Sequence, residues 1–325
     1  MKKILITAAA VAVVLAVIAR VLYPSAFDQR PTVAVSQIVE HPALDDVRKG
    51  ILDGLAEAGY KDGENFVFKF QTAQGNPAIA AQIARQFVGE EADVLVGIAT
   101  PSAQALANAT KDIPIVFSAV TDPVGAKLLT QMEKPDGNVT GLSDLSPVGQ
   151  HVELMAKIAP NVKTIGVVYN PGEANAVSLV ELLRAEAAKR GYEVAEATAS
   201  RTAEVKTAAT AAADKSQILY AITDNTVASA IAAMTGAADA AGIPVFGATA
   251  DYVEKGAVAS VGFDYYQVGL QTAEYVAAIL GGKTPAQLPA KVAKGTDIVI
   301  NPAAAKKLGI TLPAELTANP SRIVQ

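Results

Sequence analysis

A chain of 325 residues, 51% of them hydrophobic and 18% charged, is too apolar for disorder and long enough for about two domains. It has no cysteine and only two histidines, His41 and His151, which excludes disulfide scaffolds, iron–sulfur centres, thiol catalysis and zinc fingers. With 27 basic against 32 acidic residues, a net charge of -5 and no basic tail, it is a poor partner for nucleic acid.

The chain begins with Lys2 and Lys3, then an apolar run from Ile4 to Ala19 that Arg20 ends. This is the plan of an export signal, over residues 1–30. A run of this length spans about 24 Å as a helix, slightly short of a membrane crossing. The segment is therefore either cleaved, best after Ala26, or retained as an N-terminal anchor. No cysteine follows it, so lipid attachment of a lipoprotein is excluded. Beyond Arg20 the chain carries 24 basic and 32 acidic residues.

From Thr32 a strand–loop–helix pattern repeats. The strands are 32–39, 65–73, 93–99 and 114–120, and the helices are 44–58, 77–88 and 102–110. A second run follows, with strands 164–170, 192–199, 217–223, 244–249 and 257–263, and helices 175–190, 203–214, 227–241 and 266–280. The stretch 297–301 adds a strand and the residues after it a short helix. Short apolar strands alternating with amphipathic helices predict parallel sheets covered on both faces. The phrases DIPIVFSAVTD (112–122) and AGIPVFGATAD (241–251) have one shape, so the pattern predicts two similar Rossmann-like α/β lobes. Residues 135–147 and 281–290 read as joins between them.

No GxGxxG follows the first strand, and GxxxxGK[ST], GxSxG and HExxH are absent from the chain. No nucleophile stands with His and Asp partners, so the reading is not an enzyme and calls for no cofactor and no metal. Polar groups recur instead just past the strand ends, where open α/β sheets bind small ligands. They are Thr100 and Ser102; Ser118, Thr121 and Asp122; Asn170, Glu173 and Asn175; Thr223, Asp224 and Asn225; and Asp264 with Tyr265. Each group alone reads more readily as a helix cap or turn than as a site. Together they put hydroxyls, amides and carboxylates on two facing walls, which suits a zwitterion. His41 either lines the cleft or merely precedes a helix. His151 reads as a helix-surface or inter-lobe residue. Tyr252, Tyr265 and Tyr266 are candidate rings against the ligand.

The stretches 37–60, 98–128, 137–148, 161–183, 222–231 and 262–275 carry a resemblance that covers nearly the whole body. The chain resembles the ABC-transporter substrate-binding proteins of the tryptophan/tyrosine uptake type. The resemblance implies a type I periplasmic-binding fold whose hinge is crossed three times, near Ser143, Val261 and Pro289. Lobe one would be 31–143 with 262–290, and lobe two 144–261 with 291–325. It implies an exported, periplasmic, monomeric receptor that delivers an aromatic or other hydrophobic amino acid to a permease driven by a separate cytoplasmic ATPase. Thr100, Ser102, Ser118 and Thr121 would hold the ligand carboxylate. Asp122, Glu173, Asp224 or Asp264 would pair with the ammonium, and Asn175, Thr223 and Asn225 would close the second wall. A sensory domain binding another metabolite and signalling to a membrane partner would use the same cleft. The chain departs from the family pattern at Ala248-Thr249-Ala250, where an acidic, Ser-containing turn is common, and at Ala176, where Ser is common.

Overall fold

The computed structural model describes residues 30–324; the predicted export segment lies outside the described residues, apart from Arg30. Among the described residues no helix is long and apolar enough to cross a membrane.

The chain builds two sheets. The first holds β1 (Thr32–Gln37), β2 (Val67–Thr72), β3 (Val94–Ile98), β4 (Ile115–Ser118), β5 (Val139–Ser143) and a short return strand, Lys291–Val292. All its pairings are parallel. The central strands β3, β4 and β5 are buried throughout, as a sheet covered on both faces requires. The covering helices include α1 (Pro42–Glu57), α2 (Pro77–Gly89) and α3 (Thr100–Ala109).

The chain then passes through α4 (Val148–Ile158) into the second sheet. That sheet holds β6 (Thr164–Tyr169), β7 (Glu193–Thr198), β8 (Ile218–Ala221), β9 (Val245–Gly247) and β10 (Ala259–Gly262). Its helices are α5 (Ala174–Ala188), α6 (Val205–Ala213), α7 (Asn225–Ala228), α8 (Ile231–Ala241) and α9 (Ala250–Glu254). After β10 the chain returns as α10 (Tyr265–Leu280), whose Val268, Ala273 and Val276 join the first lobe's core. The return strand, β11, is followed by β12 (Asp297–Ile300), antiparallel to β10, then α11 (Pro302–Lys307), α12 (Ala314–Thr317) and β13 (Arg322–Ile323).

Four details differ from the sequence expectations. The join predicted over 135–147 contains β5, which carries only two aliphatic side chains and a glycine at φ +149 that the strand pattern cannot announce. A Cβ on Gly141 would stand 2.0 Å from the Phe117 carbonyl oxygen, so only glycine lets β5 lie against β4. The predicted helix over 227–241 is broken between Ala228 and Ile231. Lys291 and Val292 pair with Leu142 and Ser143, and Ala293 N–H donates to Ser143 O at 2.8 Å. The last passage between sheets therefore falls after Ala293, not near Pro289. Finally, His151 is fully buried, not on a surface. Its Nδ1 lies 2.6 Å from the Tyr220 hydroxyl, and its ring packs edge-on against Tyr220 and Phe246. Helix α4, which the strand–helix pattern passes over, turns this face onto the second sheet.

Candidate functional site

The C-terminal ends of β1, β3, β4 and β5 face those of β6, β8 and β9 across a gap. Between them lies a small cleft cavity lined by residues of both lobes. The first lobe lines it with His41, Leu44, Ala99, Thr100, Ala119, Thr121 and Asp144. The second lobe adds Asn175, Thr223, Asp224, Asn225, Ala228, Thr249 and Tyr252, and Tyr265 stands where α10 begins.

The backbone is specialised at two of these points. Ala99 (φ 70) and Ala119 (φ 54) both adopt left-handed geometry just past β3 and β4. L-residues avoid that region, and such strain concentrates at binding sites. Ala99 opens α3, whose first turn carries no side-chain cap. The N–H groups and the positive end of the helix dipole there suit a carboxylate.

Five cavity-lining side chains carry a buried polar atom with no hydrogen-bond partner among the described residues. These are His41 Nδ1, Thr100 Oγ1, Asn175 Oδ1, Thr223 Oγ1 and Thr249 Oγ1. Buried polar groups are nearly always paired, because each unpaired one costs about 1–3 kcal/mol. Five around one cavity, drawn from both lobes, leave donors and acceptors available to a polar ligand. Asn175 Nδ2 donates to the Thr223 carbonyl at 2.9 Å and to Glu173 at 3.2 Å, which leaves its Oδ1 as an acceptor facing the space.

The electrostatics are set by burial. Burial pushes the Asp144 carboxyl above its usual range, opposed by hydrogen bonds from Tyr265 and Thr121. Burial and then the neighbouring Glu173 push Asp224 up to about 8, opposed by backbone N–H bonds. Burial lowers His41, against Asp251, Asp45 and Glu173, so the ring stays neutral.

Of the twelve residues expected in the site, Thr100, Thr121, Asn175, Thr223, Asp224, Asn225 and Tyr265 line the cavity. The other five do structural work nearby. Ser102 is buried 3.4 Å from the Ser36 hydroxyl, and Ser118 pairs with Thr272 at 2.7 Å, so both face the first lobe's packing. Asp122 accepts from Gly125 N–H at 2.8 Å and, across the gap, from the Ser178 hydroxyl at 3.0 Å. Glu173 accepts from Asn225 and Thr226 through both backbone and side chain, bracing α7. Asp264 caps α10 through Gln267 N–H at 3.1 Å and lies outside the cavity. Asp144, Leu44, Thr249 and Ala228 are lining residues that sequence reasoning missed. Asp144 follows the undetected strand β5, and Thr249 sits where the chain departs from the family pattern.

A larger, more open groove adjoins the cavity, with Gln74, Asn108, Arg201 and Thr226 on its walls. Asn225 lines both spaces, and Glu173 lines the groove.

Comparisons with known proteins agree with this geometry. Residues 32–324 match the family described as ABC transporter substrate binding protein. A tyrosine-binding protein of Clostridioides difficile is 40% identical over 273 residues, covering 84% of this chain and 79% of that one. A solved conserved domain protein from Vibrio cholerae is 65% identical, with TM-score 0.89, covering 91% of this chain and 100% of that one. An ABC domain from Streptococcus pneumonia, solved in complex with L-Trp, is 38% identical with TM-score 0.87, again covering 91% and 100%. A ligand-free, open substrate-binding protein with adhesive properties from Clostridium difficile is 40% identical with TM-score 0.69, covering 90% and 98%. The two lobes have the type I periplasmic-binding fold. With its cleft cavity and a match over nearly all described residues, the chain belongs to the ABC transporter substrate-binding protein family.

Proposed function

We propose that this protein captures a free aromatic L-amino acid, tyrosine or tryptophan, in its inter-lobe cavity outside the cytoplasm. It then presents the ligand, as a monomer, to a membrane permease driven by a separate ATPase, after export by its N-terminal segment. The observation that carries the reading is the set of unpartnered polar atoms facing one cleft cavity from both lobes. An α-amino acid matches that set. Its carboxylate suits the Thr100 hydroxyl and the uncapped first turn of α3. Its ammonium suits acceptors such as Asn175 Oδ1. Leu44, Ala228 and Tyr252 offer apolar area to a ring. The relatives supply the ring: one is a tyrosine-binding protein and another was solved with L-Trp.

The mechanism is closure without covalent chemistry. Contacts from both lobes to one ligand favour the form in which the lobes meet, shifting a hinge equilibrium. The present geometry corresponds to that closed form. The Ser178–Asp122 bond spans the gap, and the fold superposes better on the L-Trp complex than on the open relative at nearly equal identity.

A thermal-shift panel of the twenty amino acids, simple sugars and divalent metals tests this. At about 100 times Kd a selective ligand adds about 2.7 kcal/mol. That corresponds to a rise of roughly 4 °C in a chain of this size. The expected winners are tyrosine, tryptophan or phenylalanine. A shift with only a sugar or a metal contradicts the reading.

A further inference from the structure

Two carboxylates line the cavity, Asp144 and Asp224, and their oxygens are committed in different ways. Asp224 is held by the backbone: Oδ2 accepts from Asn170 N–H at 2.6 Å, and Oδ1 accepts from Val227 N–H at 2.8 Å as the cap of α7. Those bonds fix a loop and a helix end. Asp144 is held by hydroxyls instead: Oδ2 accepts from Tyr265 at 2.8 Å and Oδ1 from Thr121 at 3.1 Å. Both hydroxyls belong to cavity-lining residues. A carboxylate offers about four acceptor positions, so two hydroxyls leave Asp144 able to accept more. No Lys or Arg is among the described residues lining the cavity, so this buried acid has no cationic partner there.

The position of the pair in the chain adds a mechanical role. Asp144 is the first residue past β5, where the chain leaves the first sheet. Tyr265 opens α10, where the chain comes back from the second. Their hydrogen bond therefore ties two of the passages between lobes together.

We propose that Asp144 receives the ammonium of the ligand and passes occupancy to the hinge through Tyr265. The proposal rests on the amino-acid reading above and names the residue that makes the site selective for an amine. An arriving ammonium supplies the positive charge that the buried carboxylate lacks, which also stabilises its ionised form.

The test is a cycle of protein against ligand, read by calorimetric titration. The wild type, Asp144→Asn and Asp224→Asn are each titrated with L-tyrosine and with its des-amino analogue, 3-(4-hydroxyphenyl)propionate. The wild type is expected to prefer the amino acid by at least about 100-fold, the range for a buried charge-assisted pair. Asp144→Asn removes that preference and leaves the analogue within about threefold of its wild-type affinity, because the amide keeps an acceptor for one of the two hydroxyls and a donor for the other and loses the charge. Asp224→Asn weakens both ligands by the same factor and keeps the preference. A preference that survives Asp144→Asn, or one that Asp224→Asn removes instead, overturns the assignment while leaving the amino-acid reading intact. A wild type that binds neither of these ligands nor L-tryptophan overturns both. If Asp144→Asn does not fold, Tyr265→Phe carries the test: preference persists, but ligand-induced compaction by small-angle scattering shrinks. Unchanged compaction overturns the link to the hinge.

Discussion

Replacing Gly269 with leucine is expected to remove most of the first lobe's stability. Helices α1 and α10 meet backbone to backbone at Gly50 and Gly269. A Cβ on Gly269 would stand 2.2 Å from the Val47 carbonyl oxygen and 2.8 Å from the Gly50 Cα. The reciprocal Cβ on Gly50 would stand 2.2 Å from the Tyr266 carbonyl oxygen. These neighbours are main-chain atoms, so no side-chain rotation relieves the clash and the helices must separate. Ordinary overpacking costs about 1–3 kcal/mol. Forcing apart two helices whose apolar faces share the lobe's core belongs in the tail above about 4 kcal/mol. Whole domains hold only about 5–15 kcal/mol. Helix α10 also carries Tyr265, so ligand affinity should fall with stability. Denaturant unfolding checks the loss. Gly236→Ala serves as control, because a Cβ there meets nothing within 4 Å, and alanine is the better helix former. A Gly269→Leu protein with the wild-type midpoint contradicts this account of the helix pair.

The contribution of His151 to the second lobe's stability is expected to be lost in mild acid. Asp224, pushed up to about 8, acts in the opposite direction, so the ring's effect is read as a difference between variants. Burial lowers the pKa of His151 from 6.5 to about 4. In the unfolded chain the same ring takes up its proton near 6.5. Between these values the unfolded state binds more protons than the folded one, so stability falls as pH falls. The contribution is complete above about pH 6.5, is lost progressively down to about pH 4, and is flat below. One pKa unit is 1.36 kcal/mol, so the window is worth about 3 kcal/mol. His41 is lowered too and acts in the same direction. Carboxylates held low by cations, such as Glu196 beside Arg184, add their own loss at lower pH. The difference between the wild type and His151→Gln isolates the ring. The variant is expected to be less stable at pH 7.5, through lost packing against Phe246, yet to lose less on acidification, so the two stability curves converge. Parallel curves from pH 7.5 to 4 contradict a neutral, buried His151.

Most of the fold was legible because its strands are unusually uniform. VAV, VLVGI, IVF and IGVV are short apolar runs buried on both faces, and all but IVF precede a helix. What escaped was whatever lacked that signature. β5 is polar and needs the backbone freedom of Gly141, and β11 and β13 are two-residue pairings that only the folded sheet defines. The site followed the same division. Thr100, Thr223, Asp224 and Asn225 line the cavity and stand just past recognisable strands, which is why the sequence offers them. Asp144 was hidden behind β5. Ser118, Asp122 and Glu173 share the same polar chemistry at strand ends, yet their side chains brace neighbouring elements, a choice of direction that residue type does not encode.

The central claim is that one amino acid bridges the two lobes inside the cleft cavity. A crystal structure grown with L-tyrosine or L-tryptophan tests it most directly. The account predicts ligand density inside that cavity, with the carboxylate within hydrogen-bonding distance of Thr100 and the first turn of α3, and with contacts from Asn175, Thr223 or Thr249 on the opposite wall. Ligand seated in the outer groove beside Arg201, or contacts confined to one lobe, would contradict it.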